Sequence, residues 1–192
     1  MRLILSSCDF SGERSREDII NNLGKPLSEC RVLFFPNEKG LEMSIRKSKY
    51  VKRLENYGFS RENINVFDYS APENYKDLDI DAVYISGGNT FGTLMRIRDA
   101  GFESNIVEYV ENGAVYIGGS AGAHIASADI RHVEKYDENR FGITDYKGLG
   151  LYDGIFICHF TEQRRDHFES LKSEGKFEVI PLTDEDSLIV EK

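Results

Sequence analysis

Short apolar runs alternate along the chain with longer segments in which apolar and polar positions recur at helical spacing. Such runs are typical of strands buried on both faces, and the amphipathic segments are typical of helices that cover them. We predict strands over residues 3–6, 32–35, 64–67, 82–85, 115–117 and 155–157, with closing strands over 179–180 and 188–190. We predict helices over residues 45–57, 93–112 and 166–174, and the start of a closely packed helix at Ala121.

The alternation of strands with helices predicts an α/β fold with a mostly parallel sheet covered on both faces. Sites in such sheets gather where the strands end at their carboxyl edge. Gly87-Gly88-Asn89, Ser120 and His159 each follow a predicted strand, so we expect them to share one edge. Residues 129–148 are polar and irregular, and we predict a long loop or hairpin there.

The composition is that of an ordinary globular protein, with 192 residues, 40% of them hydrophobic and 30% charged, and we assign residues 1–192 to a single domain. A net charge of −9 disfavours binding to nucleic acids and to anionic membrane surfaces. The apolar runs are too short to span a bilayer, and the first residues predict a strand rather than a signal peptide. Three cysteines without close spacing favour a cytoplasmic protein with reduced thiols over a disulfide framework.

The strongest local motif is the G-x-S-x-G sequence of residues 118–122, between a buried strand and a helix. A sharp turn there needs small neighbours, and it lifts the Ser120 hydroxyl clear of the sheet. The N–H of Ala121 would then face an oxyanion from a helix N-terminus. The motif indicates a serine nucleophile, and a glycine-rich turn that only packs tightly or holds a phosphate is the alternative.

A serine nucleophile needs a base, and the chain has four histidines. His159 closes an apolar strand at the expected edge, a placement that resembles the base of a catalytic triad. His124 lies one turn beyond Ser120, where packing in the core is favoured over a role as base. His132 and His167 lie in polar contexts, and we expect both to be solvated at the surface.

An acid should orient the base, and several carboxylates lie between Ser120 and His159. They are Glu134, Asp137, Glu138 and Asp145. The residues themselves do not choose among these four.

The loop Gly87-Gly88-Asn89-Thr90 follows another buried strand, and its glycines could bring a second N–H to the oxyanion. A phosphate-binding loop is the alternative, although neither nucleotide-binding glycine motif is present. We expect Cys158 to pack inward rather than to act as a nucleophile. Cys158 and His159 have no matching partners for a metal site, so we predict neither a metal nor a cofactor.

Together these blocks resemble the aspartyl dipeptidase (peptidase E) and cyanophycinase family of serine peptidases, family S51. The resemblance rests on residues 85–90 (Ile-Ser-Gly-Gly-Asn-Thr), on 119–123 (Gly-Ser-Ala-Gly-Ala), and on 148–151 (Gly-Leu-Gly-Leu) leading into Cys158-His159-Phe160. It extends over nearly the whole chain. It implies a three-layer α/β sandwich related to class I glutamine amidotransferases, with Ser in place of their Cys.

The resemblance also implies roles for single residues. Ser120 would attack the carbonyl, and His159, 39 residues further on, would carry the proton. Gly88 and Ala121 would supply the N–H groups of the oxyanion hole.

The family's acid lies in the segment after the nucleophile helix. Asp137 falls nearest to that position, and Glu134 is second.

Peptidases of this family favour an N-terminal Asp, whose carboxylate needs a cation. Arg164 and Arg165 could form a bidentate carboxylate clamp, with Asn89 as a further substrate contact. Solvated arginines on a loop are the alternative.

We therefore expect a cofactor-free serine peptidase that hydrolyses short peptides, chiefly dipeptides with N-terminal Asp, through an acyl-enzyme. The same triad acting on isoaspartyl, cyanophycin-type or other small amides is one alternative, and a non-catalytic anion-binding module of the same fold is another. We expect small peptides as partners, and neither nucleic acid nor membrane. A homodimer would fit the symmetric pairing that is common among small enzymes.

Overall fold

The computed structural model describes residues 1–37 and 43–192, with side chains described in the second range from residue 47 onward. The strands are β1 Arg2–Ser6, β2 Val32–Phe35, β3 Ile64–Val66, β4 Ala82–Ile85, β5 Val115–Gly119, β6 Ile155–Ile157, β7 Val179–Pro181 and β8 Ser187–Glu191. The α-helices are α1 Glu13–Asn22, α2 Met43–Tyr57, α3 Thr90–Asp99, α4 Glu103–Glu111, α5 Ala121–Ala126 and α6 Arg165–Glu174. No α-helix in these described ranges is long and apolar enough to cross a membrane.

The central sheet has the strand order β3-β2-β4-β5-β1-β8. Its strands run parallel except β8, which pairs antiparallel with β1. β6 and β7 pair in parallel in a separate two-stranded sheet. The carboxyl ends of β4, β5 and β1 lie side by side, because these three strands are neighbours in the sheet.

Each face of the central sheet carries its own hydrophobic core, because successive side chains of a strand point to opposite faces. On one face, Ile85 of β4 packs in a cluster with Leu94 of α3. On the other face, Ile117 of β5 shares a cluster with Ile19 of α1 and Leu54 of α2. The predicted α/β fold, with a mostly parallel sheet between helices, is confirmed.

Two helices differ from the sequence-based prediction. The predicted helix over residues 93–112 is divided into α3 and α4, because Gly101 adopts a left-handed φ of 63° that ends the first helix. The buried Phe102 then precedes the second helix. Helix α1 was not predicted, since only Ser15 and Ile19 of its 10 residues are buried and its apolar pattern is correspondingly weak.

Candidate active site

Ser120 lies on a strained turn between β5 and α5. Its φ of 47° and ψ of −102° fall in a region that residues other than glycine seldom occupy. The N–H of Ser120 donates to the carbonyl of Ser6 at 2.8 Å, and the Tyr116 hydroxyl donates to the carbonyl of Gly122 at 2.7 Å. A Cβ at Gly122 would stand 1.9 Å from the carbonyl oxygen of Ile85, so this position has room only for glycine. Hydrogen bonds and close packing thus fix the turn that presents Ser120.

The loop after β4 lies directly beside this turn. A Cβ at Gly87 would lie 3.5 Å from the Cβ of Ser120. Gly88 has a φ of 147°, and a Cβ there would stand 2.5 Å from Nδ2 of Asn37. Asn37 donates from Nδ2 to the carbonyl of Gly87 and accepts from the Tyr50 hydroxyl at 2.9 Å. Asn37, which the sequence did not single out, therefore helps to fix the loop beside the nucleophile.

His159 follows β6, so the expectation that it shares an edge of the central sheet is wrong. Its backbone is fixed by Ser7, whose hydroxyl accepts from the N–H of His159 at 2.9 Å and donates to the carbonyl of Leu182 at 2.9 Å. His159 has a positive φ of 51°, and its Nε2 lies 3.0 Å from Oγ of Ser120. The side chains predicted as nucleophile and base are thus within hydrogen-bond distance of each other.

The carboxylate beside His159 belongs to Asp184, in the turn between β7 and β8. Its Oδ1 lies 2.6 Å from Nδ1 of His159. An ionised carboxylate can only accept, so Nδ1 carries the proton and Nε2 is left to accept from Ser120. The hydrogen bond with His159 lowers the pKa of Asp184 below its ordinary value. Sequence reasoning missed this acid, which lies 25 residues beyond the base.

Asp137 and Glu134, the acids favoured by the family resemblance, have other partners. Oδ2 of Asp137 accepts from the N–H of Thr90 at 2.7 Å, at the positive end of α3. Glu134 accepts from the Tyr146 hydroxyl at 2.5 Å, and this hydrogen bond lowers the pKa of Glu134. The structure corrects the prediction of Asp137 as the acid beside His159, because its carboxylate instead attaches the irregular segment 129–148 to α3.

Two cysteines lie next to these side chains. Cys158 is fully buried, its thiol donates to the carbonyl of Ser120 at 3.7 Å, and burial raises its pKa to about 12. It packs inward, as expected. Cys8 is half-buried beside the Asp184 carboxylate, and burial, followed by the interaction with that carboxylate, raises the pKa of the Cys8 thiol to about 11.

Asn89, predicted to contact substrate, caps α3. Its Oδ1 accepts from the N–H of Gly92 at 2.8 Å, and its Nδ2 donates to the carbonyl of Glu138 at 3.1 Å. Both ends of the amide are used inside the protein, which counts against the predicted contact with substrate.

The two arginines predicted as a carboxylate clamp point to different partners. Arg165 forms an ion pair with Glu162, with Nε 2.6 Å from Oε2. Arg164 donates to the carbonyl of Cys158, and its guanidinium lies 4.0 Å from the centroid of the Tyr136 ring. The paired clamp is therefore not formed. The positive charge of Arg164 reaches the site, where it contributes to the lowered pKa of Asp184.

His132 is buried, which corrects the prediction that it is solvated. Its Nε2 lies 2.6 Å from the carbonyl oxygen of Phe156, and its ring centroid lies 5.4 Å from that of the buried His124. His124 packs in the core, the alternative favoured from the sequence. His167, half-buried, lies further out, with Nδ1 2.6 Å from the Tyr136 hydroxyl. Burial lowers the pKa of His124 well below its ordinary value and that of His132 to about 4.

The buried His132 makes the fold sensitive to mild acid. Because its folded pKa of about 4 lies below the ordinary value of 6.5, the unfolded chain binds more protons between these pH values. This contribution is present above pH 6.5 and is lost as the pH falls toward 4. We expect the contribution of His132 to the free energy of unfolding to fall by about 2 kcal/mol from a pH of about 7 to about 5.

Urea unfolding at both pH values, on wild type and His132→Gln, measures this loss. Gln keeps an N–H for the Phe156 carbonyl but does not titrate in this range. The variant should lose less stability than wild type over this interval by about that amount, and equal losses would contradict the prediction.

Comparison with known proteins gives four findings. The family description "Peptidase family S51" matches residues 2–192. An uncharacterized peptidase of Listeria monocytogenes is 28% identical over 145 residues, which cover 72% of this chain and 71% of that protein. Peptidase E of Citrobacter koseri is 41% identical over 86 residues, which cover 43% of this chain and only 35% of that protein. A crystal structure provisionally assigned to peptidase E of Listeria monocytogenes has a TM-score of 0.75 at 23% identity, covers 98% of this chain and 93% of that chain, and shows the fold.

The family match extends over nearly the whole chain, and both named relatives are peptidases. The names agree with the fold, since the matched structure has the same layered α/β arrangement. They also agree with a Ser120 hydroxyl in contact with an imidazole. The chain belongs to peptidase family S51 and is a serine-type peptidase, a hydrolase of peptide bonds.

Proposed function

We propose that this peptidase cleaves short peptides, chiefly dipeptides with N-terminal Asp, through an acyl-enzyme on Ser120. The observation that carries the proposal is the continuous line of hydrogen bonds from Ser120 through His159 to Asp184, with distances of 3.0 and 2.6 Å. A hydroxyl, an imidazole and a carboxylate in this order are the parts that nucleophilic acyl transfer needs.

Each group has a task that follows from its protonation state. Ser120 attacks the scissile carbonyl while Nε2 of His159 accepts its proton, and the same nitrogen later protonates the leaving amine. Asp184, kept ionised by its hydrogen bond to Nδ1, holds the ring and stabilises the imidazolium that forms. Water then repeats the sequence on the acyl-enzyme and releases the second product.

The developing oxyanion is stabilised by backbone N–H groups in this proposal. Ala121 is the first residue of α5 and follows the nucleophile directly. Gly88 lies on the loop beside the Ser120 turn, is exposed, and carries no side chain that could cover its N–H. Two such donors, one from each side of the nucleophile, would complete an oxyanion hole.

Arg164 supports the preference for an acidic first residue. Its guanidinium is stacked on Tyr136, which restricts its movement, and its charge acts on Asp184 at the site. A substrate carboxylate bound beside this cation would gain a charge-assisted hydrogen bond. Arg165 is engaged by Glu162, so the recognition depends on one arginine.

The remaining properties are proposals on general grounds. We propose that the chain folds as one domain and acts in the cytoplasm, where Cys8, Cys30 and Cys158, all free, stay reduced. We propose that the reaction needs no cofactor, since Ser120, His159 and Asp184 supply the nucleophile, the base and the acid. A symmetric homodimer stays a prediction.

Substrate specificity is the first test of this proposal. We expect Asp-Leu to be cleaved with a kcat/KM at least about 10-fold above that of its isostere Asn-Leu, because the charged hydrogen bond is lost. Products of purified enzyme in EDTA would be followed by mass spectrometry, with isoaspartyl-Leu in the panel. Arg164→Met should remove the preference, and Arg165→Met is the matched control that should keep it. Equal cleavage of Asp-Leu and Asn-Leu by wild type, or selective cleavage of isoaspartyl-Leu, would contradict the assignment.

A further inference from the structure

A thiol, an imidazole and a carboxylate lie close together on the side of His159 that faces away from Ser120. One ligand atom from each of Cys8, His159 and Asp184 lies within 4.8 Å of the others. The three residues come from distant segments: the end of β1, the end of β6 and the turn before β8. Cys8 and His159 are half-buried and Asp184 is exposed, so solvent reaches the cluster.

We propose that Cys8, His159 and Asp184 form an inhibitory site for a thiophilic divalent cation, Zn²⁺ in particular. The proposal rests on the proposed function, because the bound ion would regulate the same three residues, Ser120, His159 and Asp184. Sulfur, imidazole nitrogen and carboxylate oxygen are the ligands that Zn²⁺ prefers, and three protein ligands leave the fourth tetrahedral position for water. Mg²⁺ and Ca²⁺, which require oxygen ligands, should not compete.

The geometry is close to what a tetrahedral ion needs. Bonds of about 2.0–2.3 Å place two tetrahedral ligand atoms about 3.3–3.6 Å apart. The separation of 2.6 Å between His159 Nδ1 and Asp184 Oδ1 must therefore widen. Any pair of ligand atoms near the upper limit of 4.8 Å must move closer together. The side chain of Asp184 is 62% exposed and lies in a turn, so it can make this adjustment without disturbing the core.

The carboxylates around Cys8 give the cluster a negative field. Burial is the largest cause of the raised pKa of the Cys8 thiol, and the negative charges of Asp184, Asp9 and Glu185 add to it. The same negative field that opposes a bare thiolate attracts a divalent cation, and a metal-bound thiol is deprotonated outright. The net charge of −9 adds a weaker, longer-range attraction.

Binding would block the base by moving a proton. The metal takes Nδ1 of His159, so the proton on Nδ1 is transferred to Nε2, the nitrogen that faces Ser120. Nε2 then donates and can no longer accept the serine proton. The thiol of Cys8 loses its proton to solvent, so each ion bound releases one proton in total.

Direct metal binding tests the site without reference to peptide hydrolysis. Co²⁺ added to the apoprotein in a non-thiol reductant should produce the near-ultraviolet absorption of a cobalt–thiolate bond, and Zn²⁺ should displace it. Cys8→Ser should remove that band and weaken Zn²⁺ binding at least about 100-fold, the upper end for loss of an outer-shell partner. Cys30→Ala removes a remote buried thiol and should change neither result. Asp184→Asn, measured by binding alone, gives a second variant if Cys8→Ser does not fold.

Inhibition of peptide cleavage by Zn²⁺ is the second test of the site. Zn²⁺ should inhibit wild type reversibly, EDTA should restore the activity, and Cys8→Ser should keep its activity at Zn²⁺ concentrations that inhibit wild type. Undiminished wild-type activity with the site saturated, or equal Zn²⁺ affinity in wild type and Cys8→Ser, would overturn the proposal. A chain that binds Co²⁺ through Cys8 but cleaves no peptide would instead refute the proposed function and support the metal site.

Discussion

Replacement of Ser120 by Ala is expected to lower kcat for peptide cleavage by about 10⁶-fold, the loss measured when a triad serine is removed. The reason is that the hydroxyl 3.0 Å from Nε2 of His159 is the proposed nucleophile, and Ala cannot form the acyl bond. The measurement is kcat and KM on the preferred dipeptide, with KM or inhibitor affinity nearly unchanged. Ser173→Ala, which removes an exposed hydroxyl on α6, is the matched control and should be fully active.

Because the backbone of Ser120 is strained, two substitutions that both remove activity should differ in stability. Ala at this position inherits the φ of 47°, whereas Gly adopts it freely. Both variants should be inactive, and Ser120→Gly should exceed Ser120→Ala in free energy of unfolding by about 1 kcal/mol. Activity that survives in the Ala variant would exclude Ser120 as the nucleophile.

Replacement of Asp184 by Asn is expected to lower kcat by about 10³-fold. The loss for a buried triad aspartate is about 10⁴-fold, and we expect less here because this carboxylate is partly solvated. Asn can donate to Nδ1 of His159, which favours the tautomer with its proton on Nε2. In that tautomer Nε2 faces Ser120 as a donor and cannot act as base. Steady-state kinetics on the preferred dipeptide would measure the effect, mainly in kcat.

Asp137→Asn is the decisive comparison, because the family resemblance favoured this residue as the acid. Its carboxylate accepts from Thr90 at the start of α3, so the variant should lose about 0.5–1 kcal/mol of stability and keep its kcat within a few-fold. If instead Asp137→Asn lost activity and Asp184→Asn kept it, the acid beside His159 in the structure would not be the acid that works.

The parts of the site that sequence could predict are those held by local structure. A buried strand followed by Gly-Gly-Ser forces one kind of turn, and the Ser120 side chain leaves it in one direction. His159 likewise ends an apolar strand, so its place at a strand end followed from the pattern around it. Neither inference needed knowledge of which strands pair.

The parts that sequence could not predict depend on contacts between distant segments. Asp184 lies among several carboxylates in a polar turn, and nothing near it in sequence indicates that the turn folds over His159. Cys8 meets the same pair because it follows β1, which is a neighbour of β8, and because the adjacent Ser7 binds the backbone of His159. His132 was assigned to the surface because its neighbours are polar, yet the carbonyl of Phe156 holds it inside.

The place of β1 between β5 and β8 has a consequence for how the molecule gains activity as it folds. Ser6 at the end of this strand binds the backbone of Ser120, and the adjacent Ser7 binds that of His159, 152 residues away. Contacts across such separations close long loops and form slowly compared with helices and local turns. A refolding chain would therefore regain its helical circular dichroism before it regains turnover.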